Sequence, residues 1–285
     1  MFEKIQRQIL TAIREQEVLP WVKPWNCNAV PTNLLTGKPY TGGNPILLNF
    51  QSGGECQFMG FNQGKSVGAR LKRGSKSCQG VVYRPGSKRE QRDSSTGEVK
   101  EYWARAIVNT FHVFPLSAWD SLGKLEGKIN QDSGIDTVLG NSDAATIRDR
   151  YQAAQTDLTL SHGSNAASYM PMRDHIALPN PNSFTSESAY WATCYHEMAH
   201  SSGHETRLKR ELTPANMDVA SYSKEELVAE ITAAYLCSVA KIENTRQNSI
   251  SYLQHWYKKL EEDGIELLIS AASKADAAAK FILGK

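Results

Sequence analysis

The chain has 285 residues, 40% hydrophobic and 22% charged, a composition that fits a soluble globular protein with a sizeable core, in two domains or one large one. No apolar run approaches the roughly 18 residues a membrane-spanning helix needs, and the polar opening Met1-Phe2-Glu3-Lys4 has no secretory apolar core. The net charge of +2 conceals an asymmetry: residues 1–125 hold 17 Lys and Arg against 9 acids, a balance of +8, and residues 126–285 hold 15 against 21, a balance of −6. Five widely spaced cysteines without a Cys-x-x-Cys argue against a disulfide framework or a cysteine zinc site, and for a reducing cytoplasm.

In chain order, the spacing of Ile5, Ile9, Leu10 and Ile13 predicts an amphipathic helix over 2–16, with Lys4, Arg7 and Arg14 outward. Pro20 and Pro24 hold Trp21, Lys23 and Trp25 in an extended segment. A turn-rich loop with Lys38 and Tyr40 follows, then a short helix from Phe61 to Gly68 and a basic turn carrying Arg70, Lys72, Arg73 and Lys76. Gly80–Arg84 reads as a strand whose partner is Trp103–Phe114. Between them lies a long polar hairpin tip with Lys88, Arg89, Arg92 and Lys100. Cations interleaved with aromatic rings on a small α+β frame suit single-stranded nucleic acid, where cations follow phosphates and ring faces stack unpaired bases. The same pattern also suits a small domain whose rings form its core. Trp103 and Trp119 are assigned to that core. Trp21, Lys23, Trp25, Lys38, Tyr40, Arg70, Lys72, Arg73, Lys76, Lys88 and Arg89 are the candidate DNA contacts.

The stretch 123–142 is rich in Gly, Ser, Asp and Asn and reads as a connector, so the expected division is a basic domain over 1–125, a connector over 126–145 and an acidic domain over 146–285. In the acidic part, Tyr169–Leu178 reads as one strand ending near Pro179, able to hold an extended peptide by edge pairing. The next segment, 186–202, lacks Pro and Gly. Ser183 or Thr185 would cap it, and Gly203 would end it in a left-handed conformation. This helix carries His196-Glu197-Met198-Ala199-His200. Histidines four apart share a helix face and can grip one metal ion, while Glu197 is placed to act as general base on a water. Thr206 stands where one zinc-peptidase subclass has a third His, and His204 is out of register. A Glu on a later helix is the other common ligand. Tyr222–Glu230 opens such a helix. Glu226 is the expected third ligand, Glu225 its competitor, and Glu230 and Tyr222 are expected to support the site from behind. Ser223-x-x-Glu226 also reads as a capping box.

With these residues in view, the chain resembles the ArdC family of plasmid antirestriction proteins. The resemblance runs through Leu19-Pro20-Trp21-Val22-Lys23-Pro24-Trp25 and Thr36-Gly37-Lys38-Pro39-Tyr40, then the basic turn near Lys72. It continues in Phe184, His196–His200, Ser202-Gly203-His204, Arg207-Leu208 and Glu225–Glu230. It implies an α+β protein: a small basic domain that binds single-stranded DNA, then a mainly helical zincin-like metallopeptidase domain. It also implies metal ligands at His196, His200 and Glu226, a base at Glu197, and a role in protecting incoming DNA during conjugation. Two His and a carboxylate accept Zn2+, and equally Mn2+ or another divalent ion. The expected partners are single-stranded DNA and a protein or peptide substrate, with no membrane. The rival reading is a DNA-shielding protein whose metal site is structural or vestigial.

Overall fold

Helix α1 (Glu3–Gln16) buries the stripe Ile5, Ile9 and Ile13, each at most 3% exposed, and turns Arg7 and Arg14 to solvent. The structure, a computed structural model, describes residues 3–16, 19, 30–84, 87–92, 99–104, 107–127, 144–210, 212, 219–242 and 250–285. Trp21, Lys23, Trp25 and most of the expected connector lie outside the described residues. The side chains of Lys88, Arg89 and Tyr222 are likewise outside the description.

After α1 come β1 (Thr32–Asn33), α2 (Asn44–Ser52), β2 (Gln57–Met59), α3 (Phe61–Ser66), β3 (Arg70–Leu71) and β4 (Cys78–Arg84). Then follow β5 (Ser87–Arg92), β6 (Val99–Ala104), β7 (Ile107–Pro115) and β8 (Trp119–Ser121). The main sheet runs β1-β2-β7-β4, parallel between β1 and β2 and antiparallel elsewhere. The strand expected over Trp103–Phe114 is instead two strands, and the expected polar tip is itself a ladder, from Ser87↔Ala104 to Arg92↔Val99. The stretch Ser87–Arg92, SKREQR, has no apolar residue to alternate, so its sequence reads as loop.

Helix α2 closes the free edge of β4 with two side-chain amides. Asn44 donates to Val81 O (2.9 Å) and accepts from Val81 N (2.7 Å). Gln51 does the same with Gln79 O (2.8 Å) and Gln79 N (2.9 Å). These four bonds occupy groups that would otherwise invite another strand.

The second half holds α4 (Ala144–Ala154), β9 (Thr159–His162), β10 (Ser168–Met170), β11 (His175–Leu178), α5 (Glu187–Ser202), α6 (Val219–Val239), α7 (Ile250–Asp263) and α8 (Ile265–Ile282). Its sheet runs β10-β11-β9, antiparallel then parallel. The single strand expected over Tyr169–Leu178 is broken by a 3-10 turn at Pro171–Arg173, closed by Asp174 at φ 44°. Pro171 has no N–H for a ladder, and Asp tolerates the left-handed region better than most residues.

One buried cluster joins Ile5, Ile9 and Ile13 of α1 and Ile46 of α2 to Leu227 and Ile231 of α6, Trp256 of α7 and Leu268 of α8. The core therefore runs across the two sides of the charge division. A second cluster lies around α5, with Tyr151, Ile176, Leu178, Tyr195 and Met198. Cys78, Cys194 and Cys237 are buried free thiols, whereas Cys56 is disulfide-bonded, which departs from the expectation of no disulfides. Among the described residues no helix is long and apolar enough to cross a membrane.

Candidate metal centre

Helix α5 starts at neither expected cap. Ser186 accepts a hydrogen bond from Ala189 N at 3.1 Å, while Ser183 belongs to a separate 3-10 turn. Ala192, Tyr195, Met198 and Ala199, all 0% exposed, face the interior. At the other end Gly203 is right-handed (φ −81°, ψ −7°), not left-handed as expected. Its glycine serves space instead: a Cβ would lie 3.0 Å from both Arg210 Cζ and Leu212 Cδ1. The chain doubles back here, and Arg210 N donates to Gly203 O at 2.8 Å.

On the next helix, α6 begins at Val219, so Ser223 and Glu226 are interior residues and not a capping box. Small residues Ala199, Ala229 and Ala233, each 0% exposed, sit on the two helices and allow close approach. The Glu226 carboxylate thereby reaches both imidazoles, Oε2 lying 3.5 Å from His196 Nε2 and Oε1 lying 3.3 Å from His200 Nε2. The two Nε2 atoms are 3.1 Å apart. His196, His200 and Glu226 are a group whose donor atoms all fall within 4.8 Å of one another. A tetrahedral ion with bonds of roughly 2.0–2.1 Å has ligand–ligand edges of about 3.3–3.4 Å. The donor set and its spacing fit a divalent cation.

Behind this triangle, Glu225 faces the other nitrogen of His200, with Oε1 3.4 Å from Nδ1. Arg210 grips Glu225 with both arms, Nε to Oε2 at 2.9 Å and NH2 to Oε1 at 2.8 Å. The same guanidinium donates to Ala199 O (2.6 Å) and Ser202 Oγ (3.2 Å). A chain of contacts thus runs from Gly203 through Arg210 and Glu225 to His200. Arg210 is not among the expected site residues, and Glu225, expected as the competitor for the ligand position, instead backs His200. Glu230 is buried one turn beyond Glu226, and Glu197, beside His196, is 6% exposed. His204 stands outside the triangle and bonds Thr206 Oγ1 at 2.8 Å.

The electrostatics follow from this arrangement. Burial pulls the His200 imidazole down, but its hydrogen bonds and charges at Glu225 and Glu226 outweigh that and lift it to about 9. Burial pushes Glu226 up, and both histidines overcome it, holding the carboxyl well below the usual range. Further along, Arg207 ties the end of α5 to the turn before β11. It donates to Ser201 O (2.7 Å), Asp174 Oδ2 (2.9 Å), Asp174 Oδ1 and Tyr169 OH (3.2 Å). Burial raises the Asp174 carboxyl, and the Arg207 and Tyr169 bonds more than reverse it, so it sits below its usual range.

Of the DNA candidates, Lys38, Arg70, Lys72, Arg73 and Lys76 are exposed, with Lys72 Nζ donating to Ser117 O at 2.8 Å. Tyr40 is half-buried and stacks on Phe111. Trp119 is core, its ring lying over Gly64.

A His-Glu-x-x-His helix beneath a small sheet, with a Glu from the following long helix, defines a zincin-type domain, and residues 149–274 match the family described as a zincin-like metallopeptidase. Residues 1–114 match the N-terminal domain of the anti-restriction factor ArdC. The whole chain is similar to the crystal structure of the antirestriction ArdC protein from the R388 plasmid. Its Mn(II)-bound form gives a TM-score of 0.73 at 26% identity, over 99% of this chain and 96% of that one. The metal-free form gives 0.71 at 27% identity, with the same coverage. The chain thus joins an ArdC-type N-terminal domain to a zincin-like metallopeptidase domain, in the arrangement of the R388 ArdC structure it is similar to. It is also 31% identical to a DNA primase TraC of Escherichia coli over 93% of this chain, but spans only 25% of that protein's length. An uncharacterized protein, y4eC of Sinorhizobium fredii (strain NBRC 101917 / NGR234), is 25% identical over 99% of this chain and 91% of its own.

Proposed function

We propose that this protein binds single-stranded DNA through its basic half and carries a metal-dependent peptidase centre, together protecting incoming DNA from restriction during conjugation. The observation that carries the reading is the convergence of His196, His200 and Glu226 beside a buried Glu197. A Mn(II)-bound ArdC structure of the same fold supports a divalent ion here, Zn2+ or Mn2+. The antirestriction title of that relative, and a DNA primase that contains a similar region, support a DNA-facing role.

When bound, the cation would supply Lewis acidity to a water and to a peptide carbonyl. His196, His200 and Glu226 would hold it. Glu225, fixed by Arg210, holds the His200 ring from its Nδ1 side. Glu197 would take a proton from water and deliver it to the leaving amine. β10 is an edge strand of the sheet beside α5, and its outer edge offers backbone groups to an extended peptide.

Glu197→Ala tests the reading. It should keep its metal and its fold while losing both proteolysis and protection of transferred DNA. Protection that survives in this variant would mean a shielding protein with a structural metal site. Failure of the wild-type protein to bind metal would remove the centre altogether.

A further inference from the structure

A groove crosses the loop 39–44 where the N-terminal sheet meets α8. On the sheet side is a cavity of about 330 Å3 lined by Tyr40, Phe111, Val82, Gly42, Gly43 and Ser273. On the far side of the loop is a second, of about 250 Å3, lined by Val30, Pro45, Tyr235, Leu283, Lys280 and Lys285. Pro39, Tyr40, Thr41 and Asp276 border both.

The walls are firmly built. Phe111 lies across Gly80, where any Cβ would come within 2.2 Å of its ring. Tyr40 stacks on Phe111 with centroids 6.0 Å apart and planes 12° apart, and meets Phe58 edge-on at 6.2 Å. Its hydroxyl accepts from Asn33 Nδ2 at 3.2 Å. The loop is pinned at Gly42, whose N donates to Asp276 Oδ2 (3.1 Å) and whose O accepts from Tyr235 OH (3.0 Å). Lys280 neutralises Asp276 at 2.8 Å. Val82 stays 40% exposed on the open strand face.

The two parallel rings and polar backbone groups of the sheet-side cavity, and the largely apolar lining of the other, suit a planar heterocycle with polar edges better than a peptide side chain. Lys38 beside the loop and Lys285 at the far end place a cation at either mouth, Lys280 being paired with Asp276, as a phosphate backbone crossing the groove would require. We infer that this groove is a nucleobase subsite for single-stranded DNA, seating one unpaired base on each side of the Tyr40 loop. The inference rests on the single-stranded DNA reading above and goes beyond it. It places part of the DNA site on α8 and on Tyr235 of α6, the helix that carries Glu226.

The test is binding of a single-stranded oligonucleotide carrying a fluorescent purine analogue, over a salt series, to the full chain and three variants. Tyr40→Leu removes the stacking face, Val82→Trp fills the sheet-side cavity from an exposed position, and Tyr40→Phe keeps the ring. Tyr40→Leu and Val82→Trp should each weaken binding about 10-fold or more and abolish quenching of the analogue, with the salt slope unchanged because no phosphate contact is lost. Tyr40→Phe should bind within about 2-fold of wild type, since the stacking face persists. Wild-type binding with Tyr40→Leu and Val82→Trp both unimpaired would overturn the groove while leaving the DNA reading intact. A wild-type chain that does not bind single strands would remove both. Competition by a free deoxynucleoside monophosphate at equal nucleotide concentration would also overturn it, reassigning the groove to free nucleotides.

Discussion

Replacing Arg210 with Met would test whether the metal centre is held from behind. The Arg210–Glu225 pair is nearly dry, with side chains 9% and 8% exposed. Breaking a buried pair by removing one partner costs about 3–5 kcal/mol, because the other charge stays buried and uncompensated. His200 still faces Glu225 at 3.4 Å, so the lower end, about 3 kcal/mol, is expected. The Ala199 carbonyl also loses its guanidinium donor. With Glu225 free to shift, the His200 ring loses its fixed orientation, and metal affinity should fall about 10- to 100-fold. Urea unfolding of the metal-free protein reads the first quantity, and chelator competition reads the second. Glu225→Gln in the Arg210→Met background should restore a large part of the stability, since no unpaired charge then remains. A single-variant cost below about 1 kcal/mol, the size of a solvated surface pair, together with unchanged metal affinity, would refute the reasoning.

Three further outcomes follow from the same contacts. His200, lifted to about 9 without metal, is protonated near neutrality, so metal uptake should release a proton and affinity should climb with pH until about 9. Calorimetry in buffers of different ionisation enthalpy measures that release, and an affinity flat from pH 6 to 9 would contradict it. Asp174 has a folded-state pKa below its unfolded value, so its contribution is present above about pH 4 and lost as pH falls through the folded value. Asp174→Asn should therefore flatten the acid limb of the stability–pH curve, and a limb of unchanged slope would count against the Arg207 brace. Gly203→Ala, with no backbone strain at φ −81° but a Cβ 3.0 Å from the guanidinium carbon, should cost about 1–3 kcal/mol by overpacking. The cost should shrink in an Arg210→Met chain, and equal costs in both backgrounds would show that the two residues do not press on each other.

The parts of the centre differ in how far the sequence could reveal them. His196 and His200 share a face by helical period alone, so four residues of context suffice. Glu226 depends on the register between α5 and α6. Its sequence signal is a Glu on a helix downstream of the two histidines, and the close approach that brings it in rests on Ala199, Ala229 and Ala233, each at 0% exposure. Its competing capping-box reading disappears only because the helix starts at Val219. Arg210 carried no signal, because its role arises from a turn that brings it back onto Gly203 O, and a right-handed glycine does not announce such a turn. The β5–β6 ladder was hidden for another reason: backbone pairing needs no hydrophobic alternation. In α1 the pattern named the buried face correctly and could say nothing of what would cover it.

What covers that face changes the meaning of the charge asymmetry. Charge patterns describe surfaces, and here the surface divides near residue 125 while the interior does not. Leu227, Val228 and Ile231, which flank Glu226 and Glu230 on α6, lie in the same buried cluster as Ile5, Ile9 and Ile13 of α1 and Ile46 and Leu47 of α2. Each fully buried aliphatic side chain stabilises by about 1.5–3 kcal/mol, so a metal-bearing half cut away from α1 and α2 would expose surface worth several times the net stability margin of one contact. The N-terminal helix is therefore part of what fixes the third carboxylate in place. Its links to the site run through α7, on which it packs, and on through α8 to α6, the helices whose Asp276 and Tyr235 also hold the Gly42 loop. A ligand at that loop and an ion at Glu226 would act on one shared core, so any mutual influence between DNA and metal must be sought in the packing of α6 against α8 and not in a linker between independent modules.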